Sequence, residues 1–151
     1  MQDIQLSPHF RLSEFTRSAT AERLGIDNSI PSSLIPHLST LCEHVLEPLR
    51  EHANQPIIIS SGYRCPELNK AVGGVKNSQH MTGEAADIVP SFLHPHPSSV
   101  LKEWFTWIMD NLEFDQLIME RASKESSRYW IHVSYREGRN RQTVVRNITK
   151  K

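Results

Sequence analysis

From Ser32 to about Ala53, apolar side chains return every three or four residues, at Leu34, Ile35, Leu38, Leu41, Cys42, Val45, Leu46 and Leu49, with polar residues between them. That spacing gathers one apolar stripe on a helix of 3.6 residues per turn, so the pattern predicts a long amphipathic helix. Pro48 lacks the amide proton that an interior turn uses, and the helix is expected to be interrupted or bent near it. A second stripe, Leu101, Trp104, Phe105, Ile108, Met109 and Leu112, predicts another amphipathic helix over 100–112, capped by Ser98 or Ser99, with its tryptophans in the core. Nearer the start, Leu12-Ser13-Glu14-Phe15 is followed by a short helix over 18–25, begun by a Ser or Thr cap and stopped by Gly25.

The β-like runs are different in kind. Ile57-Ile58-Ile59 follows Pro56 and gives way to Ser60-Ser61-Gly62-Tyr63-Arg64, the pattern of a buried strand emptying into a loop. A short helix over 66–71 and the flexible Val72-Gly73-Gly74 come next, then a strand at Ala85-Ala86-Asp87-Ile88-Val89. The Pro-, His- and Ser-rich stretch 90–99 is expected to be a loop whose prolines exclude regular structure. Phe114 to Glu120 and Tyr129 to Tyr135 predict two further strands. The polar connection 121–128 is too short for a helical crossover, so they should pair as an antiparallel hairpin. Strand alternation then puts Trp130, His132 and Ser134 on one face. The tail from Gly138 is basic and polar, with an edge strand expected at Thr143-Val144-Val145 and no function assigned.

A chain of 151 residues has the length of one domain, and 38% hydrophobic with 23% charged residues is globular composition rather than disorder. Seventeen Lys and Arg balance seventeen Asp and Glu, and no long basic run interleaves with aromatics, which argues against a nucleic-acid partner. No long apolar run and no basic start followed by an apolar stretch is present. A membrane partner is not expected, and the protein is expected to be cytoplasmic as made. Cys42 and Cys65 have neither C-x-x-C spacing nor the density of a disulfide framework, and read as reduced thiols. A monomer is the default expectation.

The eight histidines matter more, because the imidazole is the commonest neutral metal ligand. In Ser78-Gln-His80-Met-Thr-Gly83-Glu-Ala-Ala-Asp87-Ile88, a histidine and an aspartate stand seven residues apart across a glycine and small residues. A catalytic zinc takes three protein ligands from imidazoles and carboxylates and keeps a fourth position for water. His80 and Asp87, joined by His132 from the later apolar strand, meet that inventory. Spacing alone leaves a second reading open, in which these are hydrogen-bonded core residues. His94 and His96 form an H-x-H pair in the Pro-rich loop, read as solvated rather than metal-binding.

Ser60-Ser-Gly-Tyr-Arg64, Ser78 to Ile88 and Trp130-Ile-His132-Val-Ser134 together resemble the zinc D-alanyl-D-alanine carboxypeptidase family, whose relatives include D,D-dipeptidases, phage L-alanyl-D-glutamate endolysins and the hedgehog signalling domain. The pattern S-x-H-x-x-G-x-A-x-D is met by Ser78, His80, Gly83, Ala85 and Asp87. The resemblance implies a single α+β domain with a mostly antiparallel central sheet and helices packed on it. Residues 1–55 would form a helical N-terminal part, 56–136 the metal-site core and 137–151 a tail. It implies one zinc ion on His80, Asp87 and His132, and a peptidase that cuts peptidoglycan stem peptides as a D,D-carboxypeptidase or endopeptidase. Such an enzyme could be a phage or prophage endolysin, reaching the wall through a separate export or lysis system.

By the same resemblance Arg64 steadies bound substrate and transition state, and Ser78 and Tyr63 contact substrate. Several relatives carry a Glu or Asp three residues before the last histidine as general base, where this chain has Tyr129; another arrangement uses a histidine five residues before it, where this chain has Ser127. Glu120, ending the neighbouring strand, is the expected base instead, with an ordinary strand-end carboxylate as the competing reading. Glu84, although between two ligands in sequence, is expected to point away. The missing base motif also sustains an alternative function, a catalytically inactive zinc-containing binding or signalling domain on the same fold.

Overall fold

The computed structural model describes residues 3–149 and turns the predicted runs into two sheets and a set of helices. A two-stranded ribbon, β1 (Gln5–Ser7) and β2 (Phe10–Arg11), leads into α1 (Leu12–Thr16) and α2 (Ala19–Leu24). The cap residues of α2 are those expected: Ser18 Oγ accepts from the Ala21 amide, and Gly25 closes the helix in the left-handed region at φ 67°. The ribbon was not expected from the sequence, since its strands are too short to show a period.

The long predicted helix forms in pieces. A 3₁₀ turn (Ser32–Leu34) runs into α3 (Ile35–Leu41), a π-helical turn (Cys42–Leu46) and α4 (Glu47–Ala53). The expected interruption near Pro48 is this wide turn just ahead of it, in which the Glu47 amide reaches back to the Cys42 carbonyl. A proline ring crowds the carbonyl four residues earlier, and a locally wider helix relieves that crowding without breaking the apolar stripe. Leu38, Leu41, Cys42, Val45, Leu46 and Leu49 are all completely buried. Burial pushes the Cys42 thiol up to about 12, as expected of an inert reduced cysteine.

The main sheet comprises β3 (Ile57–Ser61), β4 (Ala85–Pro90), β5 (Gln116–Arg121), β6 (Tyr129–Ser134) and β7 (Thr143–Thr149), in spatial order β3-β4-β6-β5-β7. The expected hairpin is present as the antiparallel β5–β6 pair, and β3–β4 and β4–β6 are also antiparallel. β7 is the expected edge strand, but it lies parallel to β5, so the sheet is mixed. The cause is an anchor at the entry to both strands. The fully buried Asp115 accepts hydrogen bonds from Arg141 Nε (2.9 Å), Nη2 (2.8 Å) and backbone amide (2.9 Å), while its carbonyl accepts from the Thr143 amide (2.9 Å). β7 must therefore start beside the start of β5.

Alternation along the strands turns Ile57, Ile59, Ala86, Ile88, Leu117, Met119, Ile131 and Val133 into one core with the helices. That core takes in α6 (Pro97–Asn111), where Leu101, Trp104, Phe105 and Ile108 are buried as predicted. Its start corrects the expected cap. Neither Ser98 nor Ser99 caps it; the cap position is His96, without a side-chain bond, and Pro97 begins the helix. Proline is suited to that first position because no donor is needed there. Pro90 likewise ends β4, so the prolines of 90–99 bound a shorter loop rather than excluding regular structure throughout. Between β3 and β4, α5 (Pro66–Ala71) forms over the predicted residues. No helix among the described residues is long and apolar enough to cross a membrane.

Candidate metal centre

The sheet face opposite the core is where the predicted ligands meet. In the β4–β6 register Asp87 lies directly across from His132, so their side chains leave the sheet side by side. His80 arrives from a 3₁₀ turn (Gln79–Thr82). The turn begins at Ser78, whose Oγ accepts from the His80 amide (3.2 Å), and ends at Gly83 in the left-handed region at φ 73°. A side chain at Gly83 would be strained by that φ and would crowd the Leu34 carbonyl, 3.1 Å from an added Cβ. His80 Nε2 and His132 Nδ1 each stand 3.2 Å from Asp87 Oδ1. One ligand atom from each residue falls within 4.8 Å of the others. All three residues are buried.

The protonation of this group decides between a metal site and a hydrogen-bonded core. His80 Nδ1 lies 2.7 Å from the Gly62 carbonyl, which can only accept, so Nδ1 carries the proton. Burial pushes the His80 imidazole below its ordinary pKa and keeps the ring neutral. A neutral imidazole has one N–H, and Nε2 is left as a lone pair facing a carboxylate oxygen. Burial works to raise the Asp87 carboxyl, and charge and hydrogen bonds from the facing imidazoles work to hold it below the usual carboxylate range; a neutral His80 with a lone pair on Nε2 supplies neither, so an ionised Asp87 looks to a cation for them. An ionised carboxylate this deeply buried requires a cation or a full set of donors. His132 Nε2, moreover, is buried without a hydrogen-bond partner, unlike a satisfied core histidine. The donor set fits a divalent cation, and the Gly62 carbonyl supplies the outer contact that orients a ligating imidazole. Among the described residues no fourth His, Cys, Asp or Glu joins the group, as in zinc sites that keep a position open.

The group faces a cleft of about 610 Å³ whose lining includes Arg64, Ser78, Glu120 and Arg136. Arg64 is 7% exposed, donates from Nη2 to Ser78 Oγ (3.3 Å) and leaves Nε unpartnered. Burial works against its charge and the nearby Asp87 and Glu120 carboxylates support it; a guanidinium stays cationic in such a setting. Tyr63 is buried and lines a second hollow beyond Arg64, next to Asp87. Glu120 is buried rather than a solvated strand end, and its Oε1 accepts from Trp130 Nε1 (3.1 Å). Glu84 turns away as expected, with Thr82 (2.5 Å), Arg136 (3.7 Å) and Arg139 (3.8 Å) around its carboxylate. The Tyr129 hydroxyl accepts from Arg121 Nη1 (3.3 Å). His94 bonds the His96 amide (3.0 Å) within its exposed loop.

Two supports of the site escaped the sequence reading. Asp115 accepts from Gln79 Nε2 (2.6 Å), one residue before His80, so the anchor of β7 also braces the ligand turn; Gln79 and Arg141 hold the Asp115 carboxyl down at about 2 against its burial. The other is Gly62. A Cβ there would lie 2.5 Å from Phe15 Cα and 2.6 Å from its carbonyl oxygen, and that carbonyl accepts from the Tyr63 amide (2.7 Å). Because the obstacle is backbone, Gly62→Ala should cost about 1–3 kcal/mol as an overpacking change. It should also weaken zinc binding by displacing the carbonyl that orients His80; thermal melts with and without zinc check both effects. The glycine of Ser-Gly-Tyr-Arg was the available signal, but glycine alone does not name its neighbour.

The chain matches the family described as Peptidase M15 over residues 8–134. No curated protein sequence matches it. The matched stretch runs from just before β2 to the end of β6 and includes every residue of the His80, Asp87 and His132 group. Coverage of that extent, over a site whose donors fit one zinc ion, establishes that the chain belongs to the peptidase M15 family of zinc-dependent peptidases.

Proposed function

We propose that the protein hydrolyses peptide bonds in peptidoglycan stem peptides, with His80, Asp87 and His132 holding the zinc, Glu120 as general base and Arg64, Ser78 and Tyr63 in contact with the substrate. The observation that carries this reading is the company the metal group keeps. A buried carboxylate and a buried guanidinium, Glu120 and Arg64, line the same cleft as His80 and His132, where perturbing environments and catalytic roles tend to coincide.

When bound, the zinc supplies Lewis acidity, lowering the pKa of water and polarising the scissile carbonyl. The protein's own groups do the rest. Glu120 takes a proton from the attacking water on its carboxylate and returns it to the departing amine nitrogen. Arg64, pinned by Ser78 and with Nε unpartnered, holds a substrate carbonyl or carboxylate. The buried floor around the three ligands limits competing water.

The test uses the zinc-loaded full chain with purified peptidoglycan and with defined stem peptides containing D-residues, scoring released amines and fragments by mass. Cleavage next to a D-residue is the expected result, and the fragments assign carboxypeptidase or endopeptidase action. Stoichiometric zinc with no turnover on any of these substrates would overturn the enzymatic reading in favour of a binding domain on the same fold.

A further inference from the structure

We infer that Trp130 is a positioning residue for Glu120: its indole N–H fixes one carboxylate oxygen and so aims the other across the cleft. The inference rests on the reading of Glu120 as proton carrier and adds a residue to it. Glu120 and Trp130 are directly opposed in the β5–β6 register, and Trp130 Nε1 donates to Glu120 Oε1 at 3.1 Å. Among the described residues this is the hydrogen bond that the Glu120 side chain receives. Glutamate has three rotatable side-chain bonds, and a base that must meet one water oxygen gains from having its rotamers fixed in advance.

The chemistry of the donor matters. An indole nitrogen donates and cannot accept. Trp130 can therefore orient the carboxylate without offering an alternative destination for the proton that Glu120 carries; a tyrosine or histidine here would offer one. The indole borders an apolar hollow that includes Val89 and Pro90, and its N–H is committed to Glu120.

The experiment compares Trp130→Phe with the parent, both zinc-loaded. Loss of one charge-assisted hydrogen bond should lower kcat by about tenfold, with KM changed less than about twofold and zinc content unchanged. Should the phenylalanine variant fold poorly, benzothienylalanine at position 130 keeps the indole shape without the N–H, and its kcat decides. A rise in KM with kcat intact would make Trp130 a substrate contact, and unchanged kinetics in both variants would make it core packing; either result overturns the inference. A Glu120→Gln variant with full activity would instead remove the reading of Glu120, so the two failures are separable.

Discussion

Glu120→Gln should reduce peptide hydrolysis by at least about 10²-fold, within the range for loss of a general acid–base group, while zinc stays bound at one ion per chain. The substitution keeps the side-chain volume, and the amide oxygen can still accept from Trp130 Nε1, so the fold and the β5–β6 register should survive. What is lost is the ability to take a proton. The expected signature is a fall in kcat with KM little altered, since a general base acts in the transition state rather than on bound substrate. Parallel kinetics, elemental analysis and thermal melts of variant and parent give the answer. Undiminished hydrolysis would return Glu120 to the status of a buried structural carboxylate.

The second large effect belongs to Asp87, the only anionic member of the metal group and one within 3.2 Å of both imidazoles. Asp87→Ala should weaken zinc binding by on the order of 10²–10³-fold, from roughly 3–5 kcal/mol for breaking a buried charge pair. Activity should fall with zinc occupancy. The stabilisation that zinc confers on the parent depends on its concentration relative to Kd, so the rise in melting temperature on adding zinc should largely vanish in the variant. Competition against a fluorescent zinc chelator measures the affinity directly. An unchanged zinc affinity would place the ion elsewhere and undo the site.

The helices over 35–53 and 97–111 were legible because an apolar stripe at helical spacing can be buried in only one way, and the stripe of Leu38, Leu41, Val45, Leu46 and Leu49 is fully buried. The strands β3 to β6 were legible from their apolar runs, with errors of one or two residues at their ends, whereas β7 continues four residues past the expected Val145 and the β1–β2 ribbon was missed. The start of α6 was misplaced because serine is the usual cap, whereas here Pro97 fills the first turn and no side-chain cap forms. The parallel placement of β7 had no local signal at all. It depends on Asp115 binding Arg141, 26 residues later, and neither residue's neighbours announce the other.

What the sequence determined by itself is the kind of chemistry available: two imidazoles and a carboxylate in S-x-H-x-x-G-x-A-x-D and W-I-H, with Asp87 and His132 on strand-like runs. Only the tertiary structure decided which atoms come together. The Gly62 carbonyl selects the His80 nitrogen left for a metal, the β4–β6 register sets Asp87 beside His132, and the β5–β6 register sets Glu120 against Trp130. Side-chain type is a local property, whereas tautomer and orientation follow from hydrogen bonds between residues far apart in the chain, as with the 45 positions that separate Asp87 from His132.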